Sequence, residues 1–300
     1  MTQIKEVGFL GLGQMGGAIA ERLLQKSFRL HVFDPSVEAS QSFGERGAVL
    51  HDSARSVANA ASVVFACLPS QEVSIQAALG ADGVIQGTSV KIYVEMSTIG
   101  HEAVNHIASK LASNDIAMVD SPVTGGPPVA RAGNLTLLTA GAPENFKHLE
   151  PIFELMGKNI YQISERLGMG QMMKVINNLI MATNVVVASE GLSMGAKAGL
   201  DPAMMLAVLN NGTGQSFALN EIISRGVFGT FDFGAALSIL DKDVTLGLKD
   251  AEALGAVLPV IDAARKQWRA ALEAGMGRED FTAILRFIEK NNGTIVRASA

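Results

Sequence analysis

The sequence predicts an α/β fold in which an N-terminal doubly wound sheet is followed by an all-α C-terminal domain. Three observations lead there. The chain has 300 residues, which is at the size where one hydrophobic core stops growing and a second begins. Its first half alternates short apolar runs with helical periodicity, the pattern of a parallel sheet covered by helices on both faces. Its second half is helical throughout. With 48% apolar and 18% charged residues, there is material for a sizeable core, and intrinsic disorder is excluded.

In chain order, residues 7–10, 30–33, 63–68, 91–95 and 116–120 are rich in Val, Ile and Phe and read as buried strands. Helical patterns at 17–26, 37–46 and 102–113 lie between them. Residues 134–140 and 160–162 read as further strands whose pairing direction the sequence leaves open. These elements make up a domain over 1–165. Residues 166–300 form the helical domain, entered by a long inter-domain helix over about 169–198. Further helices are expected at 202–210, 237–254, 259–273 and 280–290. Asp201-Pro202 is an N-cap with proline in the first helical position, Asp280 is placed to cap the last helix, and Asn291-Asn292-Gly293 is a stop signal.

Gly11-Leu12-Gly13-Gln14-Met15-Gly16 matches G-x-G-x-x-G between the first strand and the first helix, the context of a Rossmann dinucleotide-binding turn. Gly11 permits the tight turn, Gly13 lets the backbone approach a pyrophosphate, and Gly16 lets helix pack on strand at a terminus that attracts anions. Asp34 ends the second strand, where a carboxylate accepts from the adenosine ribose. It also suits an N-cap, since Asp-Pro-Ser opens a helical pattern, and the two roles are compatible. An acid here repels a 2′-phosphate, which favours NAD over NADP; Arg29 and Arg55 keep NADP open. FAD or a mononucleotide is the minor alternative.

Three more stretches make the pattern specific: Asp120-Ser121-Pro122-Val123-Thr124-Gly125-Gly126, then Gly168-Met169-Gly170-Gln171-Met172-Met173-Lys174-Val175-Ile176-Asn177-Asn178, then Lys242-Asp243. Together the four stretches resemble the β-hydroxyacid dehydrogenase family, which includes 3-hydroxyisobutyrate dehydrogenase and tartronate semialdehyde reductase. The resemblance implies hydride transfer between a nicotinamide cofactor and a small 3-hydroxy acid or its semialdehyde. Lys174 resembles the catalytic lysine, the general acid/base for the hydroxyl proton. Asn178, four residues on and on the same helical side, resembles its orienting partner, with Asn177 on the neighbouring flank. Thr124, Gly125 and Gly126 resemble the substrate-carboxylate loop, where a hydroxyl beside two glycines presents donors to an anion. Lys242 resembles the lysine that reaches toward the cofactor. Leu68, Pro69 and Thr98 match further cofactor contacts at strand ends. Pro127-Pro128 and Asn134 depart from the family pattern and leave substrate identity open.

No other charged residue stands between Gly168 and Ser189, so Lys174 sits in an apolar stretch where an unused lysine is costly. A net charge of −5 with no basic block argues against nucleic acid and membrane surfaces as partners. Cys67, the single cysteine, fits a reducing compartment, and with no export signal at the N-terminus a cytoplasmic location is expected. The five histidines lack metal-ligand spacing, so no metal is expected. A homodimer or homotetramer is expected from the apolar helical half, with Trp268 and the tail after Gly293 as candidate subunit contacts. An imine reductase on the same fold is the nearest rival reading, and a non-catalytic nucleotide-binding protein the rival from another class.

Overall fold

The apolar runs of the first half become strands β1 (Glu6–Leu10), β2 (Arg29–Phe33), β3 (Val49–Leu50), β4 (Val63–Ala66), β5 (Ile92–Glu95), β6 (Ala117–Asp120), β7 (Val123–Thr124), β8 (Leu135–Ala140) and β9 (Gly157–Ser164). This computed structural model describes residues 4–26 and 28–298. Helices α1 (Gln14–Leu24), α2 (Val37–Gly44), α3 (Ala54–Ala60), α4 (Gln71–Leu79), α5 (His101–Ala112), α6 (Pro127–Arg131) and α7 (Pro143–Met156) alternate with the strands. Serine side chains start three of them: Ser36, Ser53 and Ser70 each accept a hydrogen bond from a backbone N–H of the first turn.

The strands order as β3-β2-β1-β4-β5-β6-β8-β7, with β9 beside β8. The strands from β3 to β6 in this order are parallel. The sheet is mixed, however, because β8 runs antiparallel to β6 and β7. The link from β7 to β8 contains only the short α6, too little chain for a parallel crossover. From β8 to β9 the chain passes through α7, and these two strands pair parallel. Alternate residues of β1 point to opposite faces: Val7 and Phe9 join a core with Ile19, Phe65 and Phe153, and Leu10 joins another with Val64, Tyr93 and Ile107.

By backbone contacts the chain divides into two units, residues 1–174 and 175–300. Helix α8 (Met169–Lys197) begins in the first and continues through the second. By length and apolar content alone it would suffice to cross a membrane, but Leu179, Ala182, Val185, Val186 and Leu192 are buried in the core of the second unit. The remaining helices are α9 (Pro202–Asn211), α10 (Ser224–Val227), entered through a π-helical segment Ala218–Ile223, α11 (Leu237–Ala253), α12 (Pro259–Glu273) and α13 (Ile284–Asn292).

Two expectations change here. Asp280 caps a 3-10 turn, Phe281–Ala283, by accepting from the N–H of Thr282, and α13 starts only at Ile284. Trp268 is fully buried, its Nε1–H donating to the carbonyl of Ala182 at 3.3 Å. The tail packs back as well: Val296 is buried, and Arg297 forks onto the Glu289 carboxylate.

Candidate active site

The glycine-rich turn leaves the C-terminal end of β1. Gly11 adopts φ +90°, and a Cβ there would strike the Cys67 carbonyl and lie 2.9 Å from Leu68 Cδ2. A Cβ on Gly16 would strike the Gly11 carbonyl, so the helix start and the turn touch backbone to backbone. Gly13 differs: it precedes α1, is exposed, and a Cβ there would meet nothing within 4 Å. The open space therefore lies at the helix N-terminus, where N–H groups and the helix dipole favour an anion. Gln14 and Met15 form the first helical residues, Gln14 exposed and Met15 packed on the core.

Asp34 follows β2 and braces this turn. Its Oδ2 accepts from the N–H of Leu12 and its Oδ1 from the N–H of Ser36, both at 2.7 Å. Of the two readings of Asp34, the N-cap role belongs to Ser36, whose Oγ accepts from the N–H of Ala39. The carboxylate is only partly buried, and each oxygen keeps accepting capacity for a ribose hydroxyl. The turn and its acid thus fit a dinucleotide.

Leu68, Pro69 and Thr98 follow β4 and β5 at the carboxyl ends of the strands, the edge where open α/β sheets bind ligands. There the Leu68 N–H donates to Ser97 Oγ at 2.7 Å. Beneath them lies a buried polar network. Glu95, fully buried, accepts from Tyr93 Oη at 3.0 Å and from the N–H of Ser97 at 2.9 Å. Burial pushes its carboxyl up to about 7, against the pull of the Ser97, Tyr93 and Ser74 hydrogen bonds. Burial likewise raises Asp120 to about 7, the nearby Glu95 charge adding to it and the Gln171 donors opposing it. Tyr93 is held well above the usual phenol range by burial and by Glu95.

Asp120 meets the first turn of α8. Its Oδ2 accepts from the N–H of Gln171 at 3.0 Å and its Oδ1 from Gln171 Nε2 at 2.8 Å. The same Nε2 donates to the carbonyl of Ser97, while Gln171 Oε1 accepts from the N–H groups of Ile99 and Gly100. Lys174 stands one turn further along. Its charge reaches the Cys67 thiol, lowering a proton affinity that burial, then Glu95, pushes up to about 12.

Thr124 closes β7, and Gly125 and Gly126 follow at φ +136° and +82° into α6. In the second unit the structure brings together Asn177, Asn178, Lys242 and Asp243. Asn178, buried, donates through Nδ2 to Asp243 Oδ2 at 2.7 Å and accepts from Asn177 Nδ2 at 3.0 Å. Lys242 Nζ pairs with Asp243 Oδ1 at 2.7 Å. Glu95, Asp120, Gln171 and Asp243 carry no role that residue pattern alone assigns. The available signal was an acid closing an apolar strand, in Glu95 and Asp120, and an acid adjoining a site lysine, in Asp243.

Residues 6–164 match the family model of the NAD binding domain of 6-phosphogluconate dehydrogenase. Residues 168–288 match that of the NAD-binding region of NADP-dependent 3-hydroxyisobutyrate dehydrogenase. The chain is 33% identical to 3-hydroxyisobutyrate dehydrogenase of Pseudomonas aeruginosa, over 93% of this chain and 97% of that protein. It is 29% identical to 2-(hydroxymethyl)glutarate dehydrogenase of Eubacterium barkeri, over 99% of each. Among solved structures, 3-hydroxyisobutyrate dehydrogenase of Salmonella typhimurium superposes with a TM-score of 0.85 at 28% identity, covering 94% of this chain and 99% of that one. An imine reductase of Streptomyces aurantiacus shares the fold alone, with a TM-score of 0.62 at 16% identity over 94% of this chain and 99% of that one. Matched end to end through both of its units, the chain belongs to the β-hydroxyacid dehydrogenase family.

Proposed function

We propose that this protein interconverts a small 3-hydroxy acid and its semialdehyde, with NAD as the favoured cofactor, NADP as the alternative, and Lys174 as general acid/base. As a member of this family it is a nicotinamide-dependent oxidoreductase acting on CH–OH groups. When bound, the nicotinamide supplies the hydride chemistry. The residues of the chain do the rest. Gly11 through Gly16 receive the pyrophosphate at the start of α1, Asp34 accepts from the adenosine ribose, and Leu68, Pro69, Thr98 and Lys242 complete the cofactor contacts. Thr124, Gly125 and Gly126 hold the substrate carboxylate. Lys174 takes the hydroxyl proton during oxidation and returns it during reduction, with Asn178 orienting the hydroxyl and Asn177 beside it.

The observation that carries this reading is the first turn of α8, where Lys174 follows a side chain fastened to the loops leaving β5 and to the end of β6. A lysine near the carboxyl ends of the strands, where open α/β sheets bind ligands, suits a proton acceptor for an alcohol held beside the cofactor. The test measures formation of reduced nicotinamide by its near-ultraviolet absorbance with a panel that includes 3-hydroxyisobutyrate and 2-(hydroxymethyl)glutarate. Lys174→Ala is expected to lower turnover about 10²–10⁴-fold while NADH still binds; near-normal turnover removes Lys174 from the chemistry.

A homodimer or homotetramer belongs to the same reading. Exposed Ile180, Val187 and Met194, spaced by seven residues along α8, support it, and sedimentation velocity tests it.

A further inference from the structure

We propose that Gln171 is a positioning residue, which sets where the Lys174 ammonium stands by clamping the first turn of α8 to the carboxyl ends of β5 and β6. The proposal deepens the reading above and rests on Lys174 being the proton carrier.

The Gln171 side chain is fully buried and uses its whole hydrogen-bonding capacity within the first unit. Its Oε1 accepts from Ile99 N–H at 2.9 Å and Gly100 N–H at 3.1 Å. Its Nε2 donates to the Ser97 carbonyl at 2.9 Å and to Asp120 Oδ1 at 2.8 Å. Two lone pairs and two N–H bonds is all that a primary amide has. The backbone N–H of Gln171 adds a bond to the other Asp120 oxygen. Helix and sheet also meet closely at Gly170, where a Cβ would strike the Leu138 carbonyl and sit 2.9 Å from Asp120 Oδ2. Residues three apart on a helix are neighbours, so fixing Gln171 fixes the root of Lys174. A buried network satisfied at every atom admits one arrangement, and a displacement of about 1 Å at a reacting group costs on the order of 10²-fold in rate.

Gln171→Glu tests this with the shape kept. Protonated, the introduced carboxyl still accepts from Ile99 and Gly100 and donates to Asp120. Either form leaves the Ser97 carbonyl without its donor, since one O–H at most replaces two N–H; ionised, the carboxylate also sets a second negative charge against Asp120, and the clamp opens. Among the described residues, the titratable side chains on the elements packed about it include Asp120, which it contacts, Glu95, whose charge reaches Asp120, Tyr93, bonded to Glu95, His101, next to Gly100, and Lys174 on its own helix. Two facing carboxyls share a proton well above the range of either alone. With NAD and the fastest acid of the panel, kcat of Gln171→Glu relative to the parent is expected to be within about threefold near pH 6. It should then fall by about 10-fold or more toward pH 9. NADH affinity and far-ultraviolet circular dichroism are expected to stay constant across that range. A kcat ratio that does not change with pH overturns the positioning role, as does a loss that tracks NADH affinity or helicity. Lys174→Ala with turnover intact overturns the underlying reading and this one together, so the two failures are distinguishable.

Discussion

Replacing Glu95 by glutamine should move stability in favour of the variant, relative to the parent, as pH rises from mildly acid to mildly alkaline. In the fold, burial holds the Glu95 proton up to about 7, whereas an ordinary glutamate releases it at 4.5. Between those values the unfolded chain binds fewer protons than the folded one, so stability falls as pH rises through this window and stays lowered above it. At 1.36 kcal/mol per pH unit the difference corresponds to roughly 3 kcal/mol. Glutamine carries no proton to lose. Its Oε1 can still accept from the Ser97 N–H and its Nε2 can donate to the Tyr93 hydroxyl. Any fixed gain or loss from those altered bonds cancels when two pH values are compared. About 2.5 kcal/mol of that falls between pH 5 and pH 8, so the Tm of Glu95→Gln relative to the parent should rise by roughly 5–10 °C between about pH 5 and about pH 8, at 2–4 °C per kcal/mol for a unit of this size. Differential scanning calorimetry at both pH values reads it. A Tm difference that is the same at both, within about 1 °C, refutes the account of Glu95 as a desolvated acid.

Two further outcomes follow from other contacts. Gly11→Ala puts a Cβ at φ +90° against the Cys67 carbonyl and should destabilise the first unit by at least about 2 kcal/mol, with weaker NADH binding; calorimetry and a fluorescence titration check both. Asp243→Ala leaves the buried Asn178 amide and the Lys242 ammonium without their shared carboxylate, for a loss of about 1–3 kcal/mol in stability and a fall in kcat/KM, measured by thermal unfolding and by steady-state rates.

Much of this architecture could be read from the chain itself. Strands β1, β2, β4, β5 and β6 announce themselves as apolar runs, and the glycine turn explains itself once a strand precedes it and a helix follows. Strands β3 and β7 do not, because two residues carry no periodicity. Helix α4 buries Ser74 and Ala78, which present no apolar stripe. The reversal of β8 was hidden because direction is decided by the length and course of a connection, not by the composition of the strand. At the site, Asp34 and Lys174 stand out by residue type and spacing, which makes them candidates. The network of Tyr93, Glu95, Ser97, Asp120 and Gln171 was not legible, since Gln171 and Asp120 are 51 positions apart and neither gives a local sign of the other. The fate of Trp268 was hidden for the same reason: its ring is enclosed by residues distant in sequence.

The hydrogen bonds that Asp34 makes within the chain bear on attempts to exchange the cofactor. The usual exchange would swap this acid for a small or basic residue, so that a phosphorylated ribose is welcomed. The Asp34 carboxylate ties down Leu12 and Ser36, so that exchange would also loosen the glycine-rich turn itself. A protein engineer would have to install a replacement acceptor for those two amides first.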